Sequence, residues 1–318
     1  MTLRKTLAAT AATLVLAACS GASGSDGGLS VEQLADLDPA TMRDEPVMFS
    51  VTDADSEVIL FGTFHALPRD VDWQTDTLDA AIARSDEAWF ELPKNAQNDP
   101  ALGPLVGQLA MSDTPLSDRV SPELYSRLEA KITELGLPQM GMPMEAINQM
   151  QPWFASLTLS QIMMMQQGFD PTSGAEAVLE PKVAALGRRS FETAEQQLRI
   201  FANMDEAAQV EMLEQTLDQL DDDPDLLSRM ASSWATGDVD MLENEVIVQA
   251  KADGPELYDA VFTQRNAAWT DTLVEELEGS GTDFVAVGAG HLLGPDSVPV
   301  MLAKRGYTVR VLTAEGAE

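Results

Sequence analysis

Cysteine occurs once in this chain, at position 19. Nothing after it can form a disulfide, a cysteine-ligated zinc site or a thiol nucleophile. Positive charge is also scarce. Lys+Arg total 19 against 52 Asp+Glu, a net charge of −33. Such a balance repels nucleic acid and anionic membrane surfaces. It favours a well-solvated surface and raises the local concentration of cations. Several catalytic signatures are missing: there is no His-Glu-x-x-His, no Gly-x-Ser-x-Gly, no P-loop and no Gly-x-Gly-x-x-Gly opening a helix. Histidine is nearly absent, with two in 318 residues.

Both histidines stand in one context. Val58-Ile59-Leu60-Phe61-Gly62-Thr63-Phe64-His65 reads as a buried strand ending in Gly-x-x-His. Phe284-Val285-Ala286-Val287-Gly288-Ala289-Gly290-His291 repeats it. Gly62 and Gly288 permit the tight turn that exposes a side chain at a strand end. The expectation is that folding joins the two strand ends into one site.

The N-terminus has the form of a secretory signal. Arg4 and Lys5 precede an apolar run from Thr6 to Leu16 that is too short to span a bilayer. Leu16-Ala17-Ala18-Cys19 has the form of a lipobox, so residues 1–19 are expected to be a lipoprotein signal with Cys19 lipidated. Ser20 after it favours outer-membrane sorting, by likeness to bacterial lipoproteins. Residues 20–28 are Gly/Ser-rich and read as a flexible tether. Residues 29–318 then form a single domain.

Its pattern is α/β. Val47 to Val51 and Glu57 to Gly62 read as a hairpin, helical spacing runs from Thr75 to Ala83, and Glu87 to Leu92 is strand-like. Strand, helix and strand recur at Asp283 to Val287, Val298 to Arg305 and Tyr307 to Leu312. The expectation is two βαβ-like halves forming a central mixed sheet, with a largely helical insertion at about residues 100–250. Within it, Glu145 to Gln167 is expected to be one long helix. Farther on, Pro255 to Leu277 should form another.

Imidazole is the commonest nitrogen ligand of divalent metals. Two imidazoles usually need a third ligand, often a carboxylate. Glu91 is a charge among apolar residues at a strand end, and such a charge needs a partner. Glu192, in Phe191-Glu192-Thr193, is a further ligand or a general base. Glu176 and Asp170 are weaker candidates. Arg265 could hold a developing oxyanion or a substrate carboxylate, and Asn266 could orient a ligand. The methionines at 140, 142 and 144 and at 163–165 suit the lining of an apolar groove, with soft-metal binding the lesser alternative.

These motifs, in this order, resemble the TraB/PrgY/GumN family: Phe61-Gly-Thr-Phe-His65, Glu91, Gly168-Phe-Asp170 with Gly174-Ala-Glu176, Phe191-Glu192-Thr193-Ala-Glu-Gln-Gln197, Gln264-Arg265-Asn266-x-x-Trp269 and Val287-Gly-Ala-Gly-His291-Leu-Leu-Gly294. The resemblance covers residues 45–313. Glu176 stands where Asp is common in the family, which keeps the carboxylate and adds a methylene. The family is similar to Tiki-type metalloproteases, and more distantly to erythromycin esterases and ChaN-type haem-binding proteins.

The resemblance implies a divalent metal (manganese, cobalt or zinc) held by His65, Glu91 and His291, with Gly62 and Gly288 in support. It strengthens Glu192 and Arg265 without fixing their roles. On the reading of the residues these two are expected to be catalytic, with Asn266 and Glu176 supporting. The resulting expectation is a lipid-anchored, extracytoplasmic metal-dependent hydrolase acting on a peptide or protein. It would meet the membrane through its N-terminal lipid only and would bind no nucleic acid. The alternatives are a non-catalytic haem- or metal-binding lipoprotein, and a peptide-capturing inhibitor or signalling protein.

Overall fold

The computed structural model describes residues 27–38, 44–223 and 225–313. The expected signal, Cys19 and most of the tether lie outside them. Six strands form one mixed sheet: β1 (Met48–Thr52), β2 (Ser56–Thr63), β3 (Glu87–Phe90), β4 (Gly187–Ser190), β5 (Gly281–Gly288) and β6 (Thr308–Val311). Their spatial order is β4-β3-β5-β2-β1-β6.

The β1–β2 hairpin closes where Asp53 Oδ1 accepts the N–H groups of Asp55 and Ser56, a local turn typical of aspartate. β2, β5, β3 and β4 run parallel. Phe284 to Val287 and Val58 to Phe61 are buried without alternation, as strands covered on both faces must be. The expected mixed sheet with its two crossovers is present, and the two halves interleave. β5, from the C-terminal crossover, lies between β2 and β3 of the N-terminal one. That placement decides the site, because it makes Thr63 and Gly288 direct partners in register.

Helices cover both faces. The one at Asp76–Ala83 is capped by Thr75 and links β2 to β3. The helix Gln264–Leu277 lays Trp269, Leu273 and Leu277 on the sheet core. The expected long helix at 145–167 is instead two, Met144–Ile147 and Pro152–Gln166. Proline disfavours helical backbone in the residue before it, and Gln151 is extended, so Pro152 starts a new helix. The run from Pro255 to Leu277 stays helical but contains a π-helical stretch, Asp259–Thr263, as does Glu243–Gln249. β4 returns from the helical region to the sheet, so that region is interrupted rather than one block.

The helical region has a second core, built on Leu124, Leu128, Ile132, Leu159, Leu213 and Leu217. Truncating one such leucine to alanine costs about 2–5 kcal/mol. No helix among the described residues is long and apolar enough to cross a membrane.

Candidate functional site

The four parallel strands end on one edge of the sheet, where ligands of open α/β sheets gather. β2 leads into His65, β3 into Glu91, β4 into Glu192 and β5 into His291. Beyond the strands the pairing continues: Phe191 N–H donates to Phe90 O (3.0 Å) and Glu192 N–H to Glu91 O (2.9 Å). The two glutamates are therefore fixed side by side.

The loop after β2 is held from several directions. Gly62 O accepts Trp234 Nε1–H at 2.8 Å. A Cβ at Gly62 would lie 2.5 Å from Val47 Cγ1, so only glycine fits. Ala175 N–H donates to Phe64 O, and the backbones of Leu67 and Asp170 pair. Asp170 caps the turn at Thr172 and meets Arg69 (2.9 Å), so its carboxylate braces this loop away from the metal candidates. Gly174 packs on the His65 carbonyl so tightly that any Cβ there would clash with it. That approach brings Glu176 into reach of the imidazole.

His65 Nδ1 lies 2.6 Å from Glu176 Oε1, which also accepts Thr63 Oγ1–H at 2.5 Å. A carboxylate accepts only, so Nδ1 donates and Nε2 is the nitrogen left to face outward. The Glu176 carboxylate raises the pKa of His65 against the opposing effect of burial. The His65 side chain is nonetheless 66% exposed at the mouth of a cavity, which moderates that pull.

His291 is the mirror case, 5% exposed. Its Nδ1 lies 2.6 Å from Asn266 Oδ1, whose amide nitrogen donates to Asp296 O (2.8 Å). That second bond orients the amide, so His291 Nδ1–H donates and Nε2 carries the lone pair, which Arg265 Nη1 meets at 3.1 Å. Burial pushes the His291 pKa down to about 3, so the ring is neutral.

Glu91 is nearly enclosed. Its Oε1 accepts Gly288 N–H (2.9 Å), and Oε2 accepts Gln197 Nε2–H (3.0 Å) and Arg265 Nη2–H (2.7 Å). Burial works against this carboxylate. The facing His291 and His65 rings, the Arg265 guanidinium and the Gly288 N–H outweigh that and hold its pKa at about 2.

Arg265 is bound on three sides. Its Nε and Nη2 donate to Glu192, and Nη1 lies 3.1 Å from His291 Nε2. Its guanidinium sits over Trp269, 4.6 Å from the ring centroid, and Trp269 Nε1–H donates to Glu192 (3.0 Å). Both Glu192 oxygens are thus committed. The general-base role expected of Glu192 does not suit that arrangement. Glu192 instead positions Arg265.

Whether these residues suit a metal can be tested at Gly288. A side chain added there would lie 3.3 Å from Glu91 Oε1, 3.4 Å from His65 Nε2 and 3.5 Å from His291 Cδ2. The candidate donors therefore face one small space that glycine leaves open, and His291 Nε2 is 3.9 Å from Glu91 Oε1. Each imidazole has its other nitrogen anchored, as metal-binding histidines do. The three donors do not all lie within 4.8 Å of one another as they stand, so holding a divalent ion requires the side chains to draw together and Arg265 Nη1 to leave His291 Nε2. Another acidic group, Glu87, Glu276 and Asp283, has carboxylate oxygens within 4.8 Å of one another at the amino ends of the strands. Arg189 already pairs with Glu87 there (2.8 Å).

Beside the site opens a cavity of about 420 Å³, lined at one end by His65, Glu91, Arg265 and His291 and elsewhere by apolar side chains. Of the methionines expected to line a groove, Met164 lines this cavity, and Met163 joins it in lining a smaller pocket nearby. Met142, Met144 and Met163 pack on the second core, and Met140 and Met165 are exposed. Thr63, Gly174 and Gln197 stand inside the motifs quoted above, but no role in the site was expected of them. Gln197 lies one turn into a helix whose Thr193–Gln196 capping box is readable, and that placement was the available signal.

A mixed α/β sheet that delivers two Gly-x-x-His loops and a buried Glu–Arg–Glu network to one cavity defines the class of protein. The chain belongs to the TraB/PrgY/gumN family, which matches over residues 47–311. It is 27% identical over 205 residues to the uncharacterized protein YbaP of Escherichia coli strain K12, a stretch covering 61% of this chain and 74% of that one. YbaP of Shigella flexneri matches to the same extent. No solved structure matches.

Proposed function

We propose that this chain is a metal-dependent hydrolase, anchored outside the cytoplasm by lipid on Cys19. The convergence of His65 Nε2, Glu91 Oε1 and the His291 ring on the space over Gly288 carries the reading. The two imidazoles and Glu91 would hold the ion. When bound, a divalent ion supplies Lewis-acid polarisation of a carbonyl. Glu176 and Asn266 keep both Nε2 lone pairs turned to the site. Arg265, steadied by Glu192, sets a guanidinium beside the same space, where it stabilises negative charge developing on a substrate oxygen. The lipobox and the absence of cysteine after position 19 support the extracytoplasmic anchor. The acidic surface is consistent with a substrate that is neutral or basic, a peptide among them.

One observation favours a second reading. Arg265 already places a cation between Glu91 and His291. Arg265 would then stabilise the developing charge without a metal, with His65, held protonated by Glu176, as proton donor to the leaving group. Hydrolysis of a panel of neutral amides and esters, with and without a chelator, separates the two. The first reading expects activity that a chelator abolishes, that added manganese or cobalt restores, and that is lost in His65→Ala and His291→Ala. Activity untouched by the chelator would sink it.

A further inference from the structure

We infer that the substrate carries a long aliphatic acyl chain, seated in the cavity beside the two histidines, so that the bond hydrolysed is an acyl amide or ester. This rests on the hydrolytic reading of the site and goes further by naming what lies next to the bond. Three observations carry it.

The first is size. At roughly 30 Å³ per water-sized group, a cavity of about 420 Å³ holds on the order of 14 such groups. That exceeds any single amino-acid side chain, indole included. The second is polarity. The polar lining side chains, among them His65, Glu91, Gln197 and Arg265, belong to the site itself. Away from it the wall is Met164, Phe201, Leu227, Met230, Val246 and Phe262. These residues pack on the core at one side but are only partly buried, so each also presents apolar surface to the space. The third is the backbone. All six stand on helical or π-helical segments, where most N–H and C=O groups are already paired, Leu227 in the first turn of its helix being the exception.

The third point separates an acyl chain from a pair of apolar peptide residues of equal volume. A buried peptide link needs hydrogen-bond partners, and an unpaired amide in such a place is costly. The apolar part of the wall has few to give. A polymethylene chain asks for none. Charge points the same way: with Glu91, Glu176 and Glu192 around it and −33 on the chain, the site suits a neutral carbonyl at the head of that chain better than a free carboxylate. Methionine, with its flexible thioether, suits a chain that bends to fit.

The test is calorimetric titration of the full chain with neutral N-acyl glycinamides, from hexanoyl to hexadecanoyl. Affinity should rise about fourfold per methylene, the step expected for a buried CH₂, and then level off once the cavity is full. Leu227→Glu and Met230→Arg should each weaken dodecanoyl binding by at least about tenfold, the equivalent of about 1.4 kcal/mol. His65→Ala should bind the probe like wild type while failing to hydrolyse it, which keeps this inference distinct from that of the catalytic site. An affinity independent of chain length in the wild type would overturn the inference, whatever the variants do. So would tighter binding of N-acetyl-Phe-Leu-amide than of the dodecanoyl probe. If chain-length dependence holds and no hydrolysis is found, the acyl site stands and the hydrolytic reading falls.

Discussion

Asn266 Oδ1 lies 2.6 Å from His291 Nδ1, and that contact decides which face of the imidazole can do chemistry. The amide is itself oriented by Asp296 O, so the tautomer is set by the helix Gln264–Leu277.

Asn266→Ala should therefore weaken divalent-metal binding about 10–100-fold, the usual effect of removing a partner behind a ligating histidine. Titration of metal into the stripped variant checks this. Asn266→Asp should restore much of the loss, because a carboxylate also accepts from Nδ1.

Arg265→Gln should move two readouts in opposite directions. Arg265 Nη1 lies 3.1 Å from His291 Nε2, so its charge opposes an ion there. A unit charge at about 4 Å contributes about 4 kcal/mol at an effective dielectric of 20, partly offset by the released glutamates. Metal affinity should rise about tenfold or more. Turnover should fall about 10²–10³-fold as the oxyanion loses its partner. Affinity and turnover falling together would show that Arg265 supports the ion rather than competing with it.

Gly174→Ala should destabilise the fold by about 1–3 kcal/mol, since the new methyl meets the His65 carbonyl and backbone must shift. Denaturant unfolding measures that cost. The same shift carries His65 away from Glu176, so metal binding should weaken in the fraction that folds. A neutral effect on both would contradict the close approach.

The acidic group at the far end of the sheet gives a pH prediction. Burial, then Glu276 and Glu87, push the Asp283 carboxyl up to about 6. A raised folded-state pKa means the folded form holds the proton more tightly than the unfolded chain. The associated stability is fully present below pH 4 and is lost as pH rises to about 6. Asp283→Asn should therefore stabilise the protein above pH 6, by on the order of 1 kcal/mol after solvent screening, and have little effect below pH 4. Thermal melts across that range check the sign.

Some of this was legible in the sequence for physical reasons. The strands β2 and β5 are continuous apolar runs ending in glycine, so both their existence and the placement of His65 and His291 at strand ends follow locally, whereas the burial of His291 does not. Glu91 was legible as a charge with apolar neighbours. The insertion of β5 between β2 and β3 was not, because it depends on pairing between segments more than 200 residues apart. The role of Glu192 was misjudged for the same reason. Only the folded chain brings Arg265 and Trp269 against both its oxygens. Gln197 and Gly174 were likewise invisible in local pattern, since their importance lies in what they touch. The helix break at Pro152, by contrast, follows from proline geometry that the residue spacing alone had overridden.

The central claim is that both Gly-x-x-His loops serve one metal site, and equilibrium titration of manganese or cobalt into the metal-stripped chain tests it most directly. The account predicts one ion per wild-type chain. It also predicts binding at least about a hundredfold weaker in both His65→Ala and His291→Ala, with each variant still folded by circular dichroism. Folded variants that both bind the ion as the wild type does would contradict it.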